Sequence, residues 1–162
     1  MTATIASAPA LPARHALAWI GLAGLAGGMV DFIYPTALAL LNGRPWETPW
    51  LSVASGWIGK AAREGGAGPI ALGIVTHFTV ATCMAAAYWL VARRFPVLYR
   101  LWWACALGYG FVLYGVMYRI VLPLRWEGAG AWQGAMSWLD IAAHIGVALA
   151  IAWVLSRPAK AR

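Results

Sequence analysis

Four long apolar stretches, each broken by one or two ionisable side chains, constrain what this chain can fold into more than any other feature. They run Ala16–Leu41, Gly68–Val91, Leu101–Leu124 and Ser137–Leu155. Each is close to or above the ~20 residues with which an α-helix crosses the hydrocarbon core of a bilayer. In lipid a segment has to satisfy its own backbone N–H and C=O groups, which a helix does. Of the 162 residues, 62% are hydrophobic and 10% are charged, against roughly 25% charged in a soluble domain. The expected fold is therefore all-α: a polytopic membrane protein, an antiparallel bundle of four transmembrane helices with no separate soluble domain.

The formal charge of +7 is a topology signal. Arg14, then Arg93, Arg94 and Arg100, then Arg157, Lys160 and Arg162 fall on one side of a chain that threads back and forth four times. The other side receives Arg44, Lys60, Arg63 and Arg125, accompanied by Glu47, Glu64 and Glu127. Lys and Arg near span ends mark the cytoplasmic side, so both termini are expected in the cytoplasm and the protein in a bacterial inner membrane. The basic residues form no stripe for nucleic acid, which is excluded as a partner; the lipid bilayer is the expected one, with a weak pull on anionic headgroups. Residues 1–15, with Pro9 and Pro12, read as a mobile cytoplasmic tail, and residues 157–162 as a basic one. Arg14 followed by an apolar run has the outline of a signal peptide, but the run continues to Leu41, too long for one. An uncleaved first span is expected.

The eleven tryptophans give a separate check on this threading. Trp46, Trp50, Trp57, Trp126, Trp132 and Trp138 fall at the outer boundary, and Trp19, Trp89, Trp102, Trp103 and Trp153 at the inner one, as an aromatic belt requires. Between the first two spans, Trp50, Leu51, Val53, Ala54, Trp57, Ile58 and Ala61 recur at helical spacing. This predicts an amphipathic helix over about residues 49–64, lying on the periplasmic interface. In span one, Gly24 and Gly28 form a groove of small residues that can receive span three, another membrane subunit or a second copy of this chain. Pro35 is expected to bend that span just beyond Asp31.

Ionisable groups inside such spans are costly and need a reason. Counted from the outer boundary, Asp31, His77, Tyr114, Tyr118, Arg119, Asp140 and His144 occupy one slab, about 5–15 Å deep at ~1.5 Å per residue. All four spans contribute, so these groups can converge between the helices. Asp140 and His144, four residues apart, can hydrogen-bond; Arg119 can pair with Asp140 or Asp31; Thr76, Thr79 and Thr82 can add hydroxyls around His77. Three uses compete. The network can be packing glue between helices; it can be a water-accessible site for protons or a small solute; or His77 and His144, at similar depth, can grip one b-type haem. No CxxCH supports covalent haem, and no HExxH or close His pair supports zinc from His77, His144 and an aspartate. Cys83 and Cys105 sit inside apolar spans and read as inert thiols. No nucleophile elbow or phosphate loop is present, and no catalytic residue is assigned.

The segments VASGWIGKAAREGG (Val53–Gly66), ALGIVTHF (Ala71–Phe78), YGVMYRIVLPL (Tyr114–Leu124) and HIGVALAIA (His144–Ala152) together resemble small four-span bacterial inner-membrane proteins of the YagU-like kind. The resemblance covers about Gly28 to Trp153, with matching positions at Asp31, Tyr34, the interfacial helix, His77, Val121–Leu124 and His144. It implies the four-span fold and the membrane location, and no catalytic residue. Where that group often has an uncharged residue after an aromatic near the end of span three, this chain has Arg119. The expected function is a non-enzymatic accessory or small-solute/proton-handling protein with no cofactor and no metal. The alternative is a b-haem redox protein using His77 and His144, and a third is a membrane enzyme acting on a lipid or quinone.

Overall fold

The computed structural model describes residues 13–160. Residues 1–12 and 161–162, and with them most of the expected N-terminal tail and the end of the basic C-terminal one, lie outside the described residues. The described chain is helical, with α1 at Ala13–Leu41, α2 at Thr48–Ile58, α3 at Ala67–Ala92, α4 at Val97–Arg100, α5 at Trp102–Val116 and α6 at Ala135–Lys160. Four helical segments, His15–Leu41, Ala67–Ala92, Trp102–Val121 and Ala135–Pro158, are long and apolar enough to cross a bilayer. This is the architecture of a multi-pass membrane protein.

Local chemistry sets the boundaries. Pro49 opens α2, where its missing N–H is no loss. The expected single helix over 49–64 is two pieces: α2 stops at Gly59 and a 3₁₀ turn follows over Gly59–Glu64. Gly65 and Gly66, at φ 77° and 93°, then reverse the chain into α3, a backbone shape that side chains with a Cβ resist. The third long segment ends in a π-helical turn, Met117–Val121, closed by Leu122 N–H to the Met117 carbonyl at 2.9 Å. Pro123 has no N–H to extend it.

α1 lies against both α3 and α6, and α6 against both α1 and α5. Glycine makes these approaches close. A Cβ on Gly24 would stand 2.6 Å from the Thr82 Cα, and one on Gly28 would stand 2.6 Å from the Phe78 ring, both on α3. Gly27 faces Ile151 and Val147 of α6, and Gly110 of α5 faces the Ile145 backbone of α6. The Gly24–Gly28 groove thus receives α3, the second long helix of this same chain. The side between α3 and α5 is different, being bridged by side chains. The rings of Tyr88 and Tyr109 lie 5.2 Å apart, and the Tyr109 hydroxyl donates to the Met84 carbonyl at 2.7 Å. The apolar core occupies the half of the molecule nearer α4, built on Ile20, Ala23, Ala85, Tyr88, Ile151 and Leu155. The polar side chains gather in the other half, under α2.

Candidate functional site

The first polar group joins α1 to α3. His77 Nδ1 stands 3.7 Å from Asp31 Oδ2, and His77 Nε2 lies 2.9 Å from the Gly28 carbonyl. A carbonyl oxygen can accept but not donate, so Nε2 carries the hydrogen of that bond. Pro35, one turn beyond Asp31 in α1, lacks the N–H that would bond the Asp31 carbonyl. Aromatic rings wall the His77 side of the pair. Trp50 meets His77 edge-on at 5.0 Å, Phe78 at 5.2 Å, and Phe32 stacks on Trp50 at 4.3 Å.

Trp50 is the residue whose packing sequence reasoning did not foresee. It reads as an outer-belt tryptophan, yet it is 1% exposed. The cause is Gly73, whose missing side chain lets the Trp50 backbone carbonyl touch α3 directly. The available signal was the pair itself, an aromatic residue on α2 and a glycine four residues before His77. Trp57, further along α2, remains 62% exposed and donates its indole N–H to Thr76 at 3.0 Å.

The second group joins α1, α6 and the π turn. The Tyr34 hydroxyl donates to Asp140 Oδ1 at 2.8 Å, and the Tyr118 phenol lies close enough to Asp140 to feel its charge. Tyr34 was not among the expected cluster residues. The expected side-chain bond between Asp140 and His144 is not formed; His144 Nδ1–H donates instead to the Asp140 backbone carbonyl at 2.8 Å. One turn along a helix, that carbonyl is the nearer acceptor, and the carboxylate is taken up by Tyr34. His144 is 8% exposed and lies edge-on to the stacked rings of Tyr114 and Tyr118, at 5.9 and 5.8 Å.

Arg119 does not join the layer. Its guanidinium donates to the Gly130 carbonyl at 3.3 Å and the side chain is exposed. Because Tyr118 and Arg119 are adjacent in the π turn, holding Tyr118 beside His144 sends Arg119 outward to the loop. Neither aspartate has an Arg or Lys partner among the described residues. Of the three threonines, Thr76 alone lines the site; Thr79 and Thr82 bond the Val75 and Phe78 carbonyls of their own helix.

Asp31, Thr76, His77, Met117 and His144 line one cavity of about 80 Å³, with Val53 of α2 and apolar residues of α3 and α6 closing it. It forms beside the α3–α5 seam, where backbones do not meet. Buried polar atoms without a hydrogen-bond partner among the described residues are Trp50 Nε1, Tyr114 Oη and Thr36 Oγ1. The arrangement can exchange protons between imidazole, carboxylate and water; among the described residues no nucleophile with an adjacent base lines it. Comparison of the chain with protein-family models, with curated proteins and with solved structures returns no match.

Proposed function

We propose that this chain is a non-enzymatic, multi-pass protein of a bacterial inner membrane that handles protons or a small polar solute at this chamber. Both termini lie in the cytoplasm, the long helices run antiparallel, and α2 with its 3₁₀ turn rests at the periplasmic interface, so the chamber opens toward the periplasm. Basic residues ride over tryptophans at both ends of the bundle, Arg93 on Trp89 at 4.7 Å, Arg157 on Trp153 at 4.2 Å and Arg125 on Trp57 at 5.5 Å. Such pairs suit headgroup depth, where a ring can stay apolar and a cation wet.

One observation carries the reading: Asp31, His77 and His144, from three different helices, line a single cavity. Glue between helices needs polar groups to meet one another, not to share a space. In vesicles holding a trapped pH-sensitive dye, the wild-type protein is expected to pass protons faster than empty vesicles. Asp31→Asn and Asp140→Asn are expected to stop that flux while helical circular dichroism is unchanged. Wild-type vesicles as tight as empty ones remove the proton role. Variants that lose thermal stability and keep their flux return the cluster to a packing role.

The haem reading has the shared cavity in its favour, but the chamber fits it poorly. Pockets for sizeable organic ligands run about 300–1,000 Å³, against about 80 Å³ here. Both nitrogens of His77 already face oxygen acceptors, which leaves no lone pair turned toward a metal. A colourless purified protein, with no Soret band after haem is added, is the expected result.

A further inference from the structure

We propose that Asp31 and His77 act as one proton-binding couple, taking a single exchangeable proton between them from the chamber. The argument begins at Gly28. Its carbonyl fixes the hydrogen of His77 on Nε2, so in a neutral imidazole Nδ1 is a bare lone pair. That lone pair faces Asp31 Oδ2 at 3.7 Å, beyond the ~2.7–3.2 Å of a formed hydrogen bond. Two acceptors held opposite each other keep such a spacing until a proton arrives to join them. An ionised Asp31 beside a neutral His77 carries one negative charge. Adding one proton brings the couple to zero, as imidazolium against carboxylate or as neutral acid against imidazole, with no other bond made or broken.

Among the described residues no Lys or Arg lines the cavity beside the couple. Facing it are His144 from α6 across the cavity, Trp50 and Val53 from α2, and Met117 from the π turn. Asp140 lies in the second polar group with Tyr34 and Tyr118, and Arg119 is turned to the loop. His144 completes the path. Its Nδ1–H is committed to the Asp140 carbonyl, so its free lone pair is on Nε2. The two histidines are therefore fixed in opposite tautomers by backbone carbonyls on α1 and α6. The cavity between them has room for at least two waters at about 30 Å³ each, the polar contents through which a proton reaches Nδ1.

This deepens the proton reading above and rests on it only for what the proton is used for. The test uses the full chain in lipid nanodiscs at neutral pH, labelled with ¹⁵N-histidine, with His77→Gln and His144→Gln to assign the signals. Wild type is expected to show either a doubly protonated His77 ring or, by infrared, the C=O stretch of a protonated carboxylic acid. Asp140→Asn keeps that signal. Asp31→Asn abolishes it and leaves His77 with hydrogen on Nε2 alone, because the asparagine amide itself supplies a hydrogen to Nδ1. Asp31→Glu restores it. A wild-type His77 that is neutral beside an ionised Asp31, or a proton signal that survives Asp31→Asn, overturns the couple. Vesicles that pass no protons while these signals behave as expected sink the transport reading and leave the couple standing.

Discussion

Asp140 is held in the interior by a phenol hydroxyl, with no Arg or Lys partner among the described residues. Tyr34 donates to it from α1 and Tyr118 approaches it from the π turn. Interhelical hydrogen bonds in membranes are worth roughly 0.6–1.7 kcal/mol, so Tyr34→Phe is expected to lower stability by about 1 kcal/mol, with Tyr118 still in place. Unfolding in detergent checks this, and no change would mean that the bond adds nothing to the fold. Tyr99, in α4 outside the long apolar helices, offers a test by pH. Burial pushes its phenol up from the usual 10.0, against a smaller downward pull from Arg93. A raised value means that the neutral phenol is favoured in the fold. Its stabilising effect is complete below pH 10 and fades as the pH climbs through the folded-state value. Tyr99→Phe should therefore flatten the alkaline loss of stability seen in wild type. At this scale the sequence was half legible. Depth along a helix picked out Asp31, His77, Asp140 and His144, because rise per residue is fixed. It did not pick their partners, because Tyr34 reaching Asp140 depends on how α1 and α6 are rotated about their own axes.

Helices apolar on nearly every face carry little rotational signal, so glycine decides much of how these elements meet. A Cβ at Gly24 would crowd the Thr82 backbone on α3, and overpacking of this sort costs about 1–3 kcal/mol. Gly24→Ala should part α1 from α3 and lower the thermal midpoint, while Gly21→Ala, with nothing within 4 Å, should be neutral or stabilise slightly. Equal effects from the two would refute the close approach. Gly73→Ala should lift α2 off α3, because the added carbon lands on the Trp50 carbonyl. Faster proteolysis between residues 44 and 66, with Trp50 newly open to a fluorescence quencher, is the expected readout. The four long helices were legible because hydropathy and length are local properties. Element boundaries moved where backbone chemistry intervened, as at Gly59 inside the expected interfacial helix and in the π turn before Pro123. That turn also explains Arg119, whose placement no count along a regular helix could have given.

At the scale of the whole molecule, three sides of the bundle are closed by helix packing and the fourth, between α3 and α5, by tyrosine side chains. Removing both phenol rings with Tyr88→Leu and Tyr109→Leu should therefore loosen that seam. A thiol reagent should then reach Cys105, which is part-buried, faster than in wild type, whereas Cys83 is already exposed and should change little. An unaltered rate at Cys105 would show that something besides those rings holds the seam. The half-buried composition of α6 sets it apart: half of its most apolar window is inside the protein, against about a fifth for α3 and α5. It also follows α1, α3 and α5 in chain order. Until α6 emerges, α5 lacks its broad neighbour among the described helices and the polar layer lacks His144 and Asp140, so the earlier helices of the nascent chain wait, incompletely packed, for the one that joins them.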